Sequence, residues 1–402
     1  MLGTRMTRAT RAGADGRARH DAVPGTPDDT VPGTAHDTVP GTAHDAITGV
    51  DAVLAEYLDA RLREAHEVDA LSATEMAARV ADFVQRGGKR LRSAFVWCGW
   101  RAAGAGGDPG APLRVGAALE LVQACALIHD DVMDGSPMRR GAPTVHADFA
   151  STHRAAHMHG SAEPYATAAA VLAGDLALAW ADDLLTDTAL SSPHGARLHR
   201  EWQRMRGEMV AGQYLDLRAQ ATGSSAEDEA LYIATLKSAL YTVERPLALG
   251  ACLAGADSGT TKALRSAGRC AGLAFQLRDD LLGAFGDPAA TGKPADEDLR
   301  ARKLTYLLAV AVRLAAESGD TEAAAALRPN TAAHSDDEVS LMRAAMERTG
   351  ARAAVEEEIS RLSERGVRHF ADTGADHHVQ REFAALLDRA VGAAPARSGE
   401  GT

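Results

Sequence analysis

Residues 126–141 read ALIHDDVMDGSPMRRG and place three aspartates at the polar end of an apolar run. Asp130 and Asp134 are four positions apart, so they share one face of a helix, with Asp131 beside them. Three carboxylates at the end of a buried helix repel one another unless a cation joins them. Such oxygen ligands suit Mg²⁺, which binds proteins through one or two carboxylates together with substrate phosphates.

Basic residues support a phosphate ligand. Arg139 and Arg140 follow the acidic cluster, and their planar guanidinium groups match phosphate oxygens. In RGGKRLR (86–92), two glycines allow the backbone to approach a ligand closely. Lys89 and Arg92 are three apart, so we expect them to share a face at a helix N-terminus, where anions bind. A solvated acidic helix end and a solvated basic loop remain the alternatives for these motifs taken singly.

A second acidic helix end decides between these alternatives. In the stretch GLAFQLRDDLLGAFGD (272–287), we expect Asp279 and Asp280 to end an apolar helix, with Gln276 one turn earlier. Two such ends, about 150 residues apart and both in apolar helices, predict two walls that face each other across a cavity, as in helix bundles with buried sites.

Three more polar residues lie in apolar helical stretches. Gln123 is two turns before Asp130, and Lys237 and Ser238 interrupt the apolar stretch 232–246. A lysine in such a stretch binds a phosphate or carboxylate partner or extends to solvent, and the sequence leaves both possibilities open.

The composition favours an all-α protein and argues against several other classes. The chain is 46% hydrophobic and only 4% aromatic, and helical periodicity continues almost without interruption from Ile47 onward. A net charge of −12 argues against nucleic-acid binding. No apolar run approaches the ~18 uncharged residues of a membrane span, and no secretory signal is recognisable. Four cysteines without CxxC pairing indicate buried thiols in a reducing cytoplasm.

The helical pattern predicts one domain between two tails. Residues 1–46 and 393–402 are expected to be disordered, and residues 47–392 to form a single-domain helical bundle around a deep central cavity. An eight-residue unit repeats three times between residues 23 and 46, as VPGTPDDT, VPGTAHDT and VPGTAHDA. It fits a flexible spacer or a repeated docking peptide for a partner or shell. We expect that deletion of residues 1–45 leaves catalysis intact.

Taken together, these motifs resemble the trans-isoprenyl diphosphate synthases, the polyprenyl synthetase family, over about residues 47–390. The matching stretches, in order, are GGKRLR, LIHDDVMDGSPMRRGAPTVH, LAGD, GQYLDL, LKSA and FQLRDDLLG with its downstream GK. The resemblance implies an isoprenoid synthase bundle, usually a cytoplasmic homodimer. It also implies that isopentenyl diphosphate condenses head-to-tail with an allylic diphosphate, assisted by three Mg²⁺ ions.

The resemblance also assigns roles to individual residues. Asp130, Asp134 and Asp279 would bind Mg²⁺, supported by Asp131 and Asp280, with Asp216 near the metal cluster. The allylic diphosphate would be held by Arg139, Lys237, Ser238, Gln276 and Lys293. Isopentenyl diphosphate would be held by Lys89, Arg92, Gln123 and Arg140.

Two departures from the family pattern concern the second acidic wall. Many members have DDxxD there, whereas this chain has Gly283 at the last position. Downstream, the family has one functional acid, and three residues here are candidates for it: Asp296, Glu297 and Asp298. The sequence does not distinguish among them.

Product length and two alternative functions complete the expectations. In the family, aromatic residues four or five positions before the first aspartate close the floor for short products. Here those positions are Ala126 and Cys125, so we expect products of about twenty carbons or more, with geranylgeranyl diphosphate favoured.

A class I terpene cyclase would lack the GGKxxR site and the second Asp-Asp pair. A non-catalytic partner-docked subunit would explain the repeats, but not the intact first motif.

Overall fold

The structure is a computed structural model that describes residues 39–286, 296–328 and 335–392, and these residues form an almost wholly helical protein. The predicted all-α class is therefore confirmed. The expectations for Lys293, for residues 1–38 and for residues 393–402 lie outside the described residues.

The first half of the chain builds one long core helix and its neighbours. Its helices in order are α1 (Ala43–Val68), α2 (Ala70–Ser72), α3 (Ala78–Gln85), α4 (Leu91–Ala102), α5 (Gly110–Asp134), α6 (Val145–Ala155) and α7 (Ala162–Leu190). A π-helical segment, Ala73–Ala77, connects α2 to α3.

The second half supplies the opposite side of the bundle. Its helices are α8 (Gly195–Thr222), α9 (Glu227–Ala234), α10 (Arg245–Leu253), α11 (Ser258–Phe285), α12 (Glu297–Arg300), α13 (Tyr306–Ser318), α14 (Thr321–Ala326), α15 (Asp336–Arg348), α16 (Ala351–Ala371) and α17 (His377–Val391). Between α9 and α10 the chain stays helical but widens into a ten-residue π-helical segment, Thr235–Glu244.

Helix α5 is buried over most of its length and ends where its sequence turns acidic. It packs most extensively against α7, and both helices present small buried side chains such as Ala118 and Ala177. Gly135 ends α5 in the left-handed region, with φ of 64°. Contrary to the sequence-based expectation, α5 is long and apolar enough to cross a membrane, but 78% of its apolar window is buried inside the protein, as in a core helix.

A two-stranded hairpin follows α5 and separates the two arginines. Strand β1 (Met138–Arg139) pairs antiparallel with β2 (Ala142–Pro143). The connecting residues Arg140 and Gly141 both have positive φ, 52° and 76°, which is the combination that a tight hairpin turn requires. The guanidinium groups of Arg139 and Arg140 consequently reach different partners.

The predicted domain boundary at residue 46 is four residues too late. Thr42 caps α1 through a reciprocal capping box with Asp45, and Ala43 and Ala46 are buried. The backbone N–H of Ala43 also donates to Glu382 of α17 at 2.5 Å. The second half of the last repeat unit therefore belongs to the helical domain, and a neutral truncation should end before Val39.

Candidate active site

The last turn of α5 carries its three carboxylates among cations. Arg139, held by the hairpin, contacts Asp131 at 2.6 Å and Asp130 at 3.6 Å. Asp131 is almost fully buried, and burial raises the pKa of its carboxyl despite the pairing with Arg139. The guanidinium is thus fixed beside the acidic cluster by a buried carboxylate.

Lys237 reaches the same cluster from the π-helical segment. Its Nζ lies 2.6 Å from Asp216 and 3.4 Å from Asp130. Burial alone would lower the pKa of Lys237, but the two carboxylates raise it overall. Gln213, one turn before Asp216 on α8, donates to Asp130 at 3.2 Å. The lysine in the apolar stretch therefore has acidic partners and does not extend freely to solvent.

Gly212 allows the segment that carries Lys237 to pack closely against α8. Gly212 of α8 faces the π-helical segment so closely that a Cβ atom there would lie 2.3 Å from the Lys237 backbone nitrogen. No side chain fits at this position without displacing one of the two helical segments.

Lys303 connects the first acidic end to the chain that follows α11. Its Nζ lies 2.6 Å from Asp134 and 3.4 Å from Asp298. Burial would lower the pKa of Lys303, but Asp298 and Asp134 raise it. Sequence analysis gave Lys303 no role. Its position five residues after Asp298, in a segment rich in charge, was the signal available.

These cations control the protonation of the first cluster. Burial raises the pKa of Asp130, but Lys237, Lys303 and Arg139 together hold it below its ordinary value. Asp130 is therefore ionised at neutral pH and available as an oxygen ligand.

The end of α11 has a different environment. Asp280 is buried and accepts a hydrogen bond from Gln276 at 2.7 Å. Burial raises the pKa of Asp280 to about 7, and the nearby carboxylates of Asp279 and Asp298 add to the effect. Gln276, expected at the allylic diphosphate, thus contacts the acidic pair in this structure.

At Gly283, where many family members have the last aspartate of the second motif, the adjacent space is taken by Asp298. A Cβ atom on Gly283 would lie 3.2 Å from Asp298 Oδ2, so the carboxylate of Asp298 occupies the space beside position 283. Asp296, by contrast, is engaged by Arg343, and the side chain of Glu297 lies outside the described part of the chain. Asp298 is accordingly the downstream acid at the end of α11.

The basic loop 86–90 meets the hairpin. Arg140 donates to the carbonyl of Gly87, and burial together with the nearby Arg139 lowers the pKa of Arg140. The prediction that Lys89 opens a helix is wrong: α4 begins at Leu91, and Lys89 is exposed before it.

A buried arginine, which sequence analysis missed, explains this loop geometry. Arg90 caps α4 with φ of 48° and donates to Glu120, Asp51 and the carbonyl of Val84, each within about 3.0 Å. Pairing of Arg90 holds the backbone in a conformation that non-glycine residues rarely adopt. Lys89 and Arg92 are therefore presented from two sides of a bend and not from one helical face.

Two of the predicted diphosphate ligands have polar atoms without partners. Arg92 donates through Nη2 to Thr242 at 3.1 Å and lies over the ring of Tyr241 at 4.3 Å. Its Nε and the Oε1 atom of Gln123 are buried and have no hydrogen-bond partner among the residues that the structure describes. Buried polar atoms are normally satisfied, so these two atoms are suited to receive a ligand or its water.

The positions four and five residues before Asp130 carry the small side chains of Ala126 and Cys125. Cys125 is buried, with Sγ 3.7 Å from His129 Nδ1, and Ala126 is half-buried. Burial raises the pKa of the Cys125 thiol to about 12, which keeps it neutral.

The donor set fits Mg²⁺ bound together with a phosphorylated substrate. Among the residues that the structure describes, no three Asp, Glu, His or Cys side chains form a group that could hold a metal ion. Mg²⁺ characteristically keeps few protein carboxylates and takes its remaining ligands from phosphates and water. Ionised Asp130 and the neighbouring Asp134 supply such carboxylates, and Lys237, Arg139 and Lys303 lie where phosphate charge would be neutralised.

Comparison with known proteins gives a consistent result. The family model for polyprenyl synthetase matches residues 74–346. A geranylgeranyl diphosphate synthase of Mycobacterium tuberculosis is 35% identical over 301 residues, which cover 75% of each chain. A (2E,6E)-farnesyl diphosphate synthase of Mycobacterium bovis is 35% identical over 289 residues, 71% of this chain and 74% of the relative.

A solved structure matches the helical arrangement. Geranylgeranyl pyrophosphate synthase from Corynebacterium glutamicum, crystallised with isoprenyl diphosphate and magnesium, superimposes with a TM-score of 0.81 at 39% identity. The match covers 86% of this chain and 98% of that structure.

Proposed function

The chain belongs to the polyprenyl synthetase family, and from this premise we propose that it condenses isopentenyl diphosphate with an allylic diphosphate to give a longer trans-polyprenyl diphosphate. The observation that carries the proposal is the convergence of Arg139, Lys237 and Lys303 on the carboxylates of α5. A binding module would not need three half-buried cations beside three acids, whereas a site that ionises a diphosphate ester does.

The allylic diphosphate is assigned to this acid–cation cluster. Asp130 and Asp134 on one wall and Asp279 on the other would hold Mg²⁺, and we propose three ions. Arg139, Lys237, Ser238 and Gln276 would contact the diphosphate, and Asp131, Asp216 and Asp280 would position them. Lys303 joins this set because it lies against Asp134.

Isopentenyl diphosphate is assigned to the loop before α4. Lys89 is exposed there, Arg140 lies against Gly87, and Arg92 and Gln123 have buried polar atoms without partners. A second diphosphate would accept hydrogen bonds from Lys89, Arg140 and Arg92, whereas the Oε1 atom of Gln123 is an acceptor and would receive one from a bound water. Burial and the nearby Arg139 lower the pKa of Arg140, so an added anion beside its guanidinium would be favourable.

The chemistry needs no protein nucleophile. Cleavage of the allylic C–O bond leaves an allyl cation and pyrophosphate, and bound Mg²⁺ would offset the charge that develops on the leaving oxygen. Arg139, Lys237 and Lys303 are already oriented by carboxylates, so they stabilise that charge with little reorganisation. The double bond of isopentenyl diphosphate then attacks the cation, and pyrophosphate accepts the departing proton.

The small residues below Asp130 favour a C20 product, geranylgeranyl diphosphate. Ala126 and Cys125 leave room where a bulky side chain would block the growing chain. Ala126→Phe should shorten the main product to about fifteen carbons, and chromatography of the dephosphorylated alcohols measures this. Ala126→Ser is the matched control and should keep the wild-type product. An unchanged distribution in Ala126→Phe would contradict the proposed floor.

A homodimer is proposed through the exposed face of α7 and α8. Val171 and Leu172 on α7 and Val210 and Tyr214 on α8 are exposed large hydrophobic residues on contacting helices. Such residues favour burial against a second copy. Val210→Asp should convert the dimer to monomer in sedimentation velocity, whereas Leu341→Asp, on the remote helix α15, should not.

The cellular setting is proposed as the cytoplasm. All four cysteines are free and buried, as expected for a reducing compartment. The repeated tail is proposed to be dispensable for turnover, and deletion of residues 1–38 should leave kcat within about twofold of the full chain.

One assay separates the three functional alternatives. The protein is incubated with Mg²⁺, isopentenyl diphosphate and geranyl or farnesyl diphosphate, and the dephosphorylated products are analysed. Elongated linear alcohols support the synthase. Cyclic hydrocarbons would indicate a terpene cyclase, and absence of turnover would indicate a non-catalytic subunit. Arg139→Gln should lose at least about 100-fold in kcat, with exposed Arg368→Gln as its control.

A further inference from the structure

A second cationic site lies far from the substrate residues. A cavity of about 630 Å³ opens between the first halves of α8 and α11, the start of α10 and the last turns of α16. Six permanent cations line it: Arg197, Arg245, Lys262, Arg265, Arg269 and Arg365. The acidic end of α11 is about 14 residues beyond Arg265, or about 20 Å along the helix, so this cavity is separate from the diphosphate sites.

Three of these cations are neutralised by carboxylates. Arg245 is held by Glu201 at 3.0 Å and by Glu208 at 2.5 Å. Arg265 also contacts Glu201, and Arg269 lies 2.9 Å from Glu244. The three carboxylates are thereby used by three arginines.

The other three cations have no carboxylate partner among the residues that the structure describes. Within the described part of the chain, Arg197 donates to neutral groups, which include the carbonyl of Ala256 at 2.6 Å and the hydroxyl of Thr261 at 2.7 Å. Lys262 is exposed, and half-buried Arg365 makes no hydrogen bond or ion pair within the described part of the chain. In a chain of net charge −12, three unmatched cations around one cavity are an unusual concentration.

The backbone reinforces this positive potential. Helices α8 and α11, each 28 residues long, begin at Gly195 and Ser258 beside the cavity. Arg197 joins the two starts through its bond to Thr261. The partial positive charge at a helix N-terminus favours anions, and here it adds to side-chain cations. Asp257, the N-cap of α11, points its carboxylate at the Thr260 N–H at 2.8 Å.

The size and polarity of the cavity restrict the class of ligand that it can bind. A volume of about 630 Å³ lies in the range of small-molecule sites and exceeds the needs of a single inorganic phosphate. The lining is charged and hydroxylated, which does not suit an isoprenoid chain. We propose that this cavity binds a phosphorylated metabolite of nucleotide size, whose phosphates contact Arg197, Lys262 and Arg365.

Calorimetric titration of the full chain with ATP in EDTA tests the proposal, because the metal-assisted substrate site is weakened without Mg²⁺. We expect one ATP per chain, and no heat with adenosine, which lacks the phosphates. Arg365→Gln and Lys262→Gln should each weaken binding about tenfold, as expected for loss of a charged contact to phosphate. Thermal melts confirm that each variant is folded.

Two control variants complete the experiment. Arg368→Gln removes an exposed arginine one turn along α16, paired only with Glu364 at 3.7 Å, and should bind ATP like wild type. Lys89→Gln alters the proposed isopentenyl diphosphate site and should also leave the titration unchanged. Absence of ATP binding, equal binding of adenosine, or weakening by Lys89→Gln and not by Arg365→Gln would overturn the proposal.

Discussion

The two acidic helix ends carry the same Asp-Asp pair in opposite electrostatic surroundings. At the end of α5, three cations hold the pKa of Asp130 below its ordinary value. At the end of α11, burial and neighbouring acids raise the pKa of Asp280 to about 7. The carboxylate of Asp130 is compensated by cations, whereas among the described residues the charged groups that act most on the carboxyl of Asp280 are other acids.

This difference suggests a division of labour between the walls. The α5 wall has its cations in place and can orient a diphosphate as soon as it binds. The α11 wall gains most from an added divalent ion, because a cation would favour the ionised form of Asp280 and relieve repulsion with Asp298. The predictions below test each side of this contrast.

The largest effect is expected at the α5 wall. Asp130→Asn removes the charge that contacts Lys237 and Arg139 and a proposed metal ligand, so kcat should fall by about 1,000-fold. Steady-state turnover with saturating substrates measures it. Asp183→Asn, an exposed aspartate on α7, is the control and should stay within about twofold. A loss below tenfold in Asp130→Asn would remove the α5 wall from the catalytic site.

The second prediction concerns the substitute acid of the α11 wall. Asp298→Ala should lower kcat about 30-fold, because it removes the carboxylate beside position 283 and a partner of Lys303. Adding Gly283→Asp to that variant should recover about tenfold, since the new carboxylate enters the vacated space. In the wild-type background, Gly283→Asp should instead lower activity, because its Cβ atom would lie 3.2 Å from Asp298. Absence of rescue would show that Asp298 does not replace the missing aspartate.

The smallest effect is a pH dependence of stability. Because the pKa of Asp280 in the folded chain, about 7, exceeds its ordinary value of 3.8, the folded state favours the protonated form. The associated stability is present below about pH 4 and is lost as the pH rises through 7. In EDTA, the free energy of unfolding should fall by on the order of 4 kcal/mol across this range, and Asp280→Asn should lack this part of the fall. Urea titrations at a series of pH values measure this. The prediction would be contradicted if the free energy of unfolding changed with pH equally in the wild type and in Asp280→Asn.

Periodicity predicted the helices well, because burial of an apolar stripe repeats along the sequence. The apolar run before the first acidic cluster predicted a buried helix that ends there, and α5 spans Gly110–Asp134. The widening of residues 235–244 into a π-helix was not expected, since it depends on which backbone carbonyl each N–H meets. The positive φ of Arg90 was likewise not predictable from the sequence, because it follows from pairing with Glu120, 30 positions away.

Motif spacing identified most residues of the acid–cation cluster but not the contacts between them. Asp130, Arg139 and Lys237 were predicted and meet in the structure. Lys303 and the place of Asp298 beside Gly283 were not predicted, since both contacts join segments that are distant in sequence. An arginine-rich cavity at the other end of α11 also requires tertiary structure, because its cations come from four separate helices.

The contact between Gly212 and Lys237 has a consequence for reading natural variation in such a chain. A single methyl group at position 212 would leave every charged residue of the cluster intact, yet it would push the ammonium group away from Asp130. Loss of activity would then arise from a site that carries no reactive atom, and a survey restricted to acidic and basic side chains would overlook it.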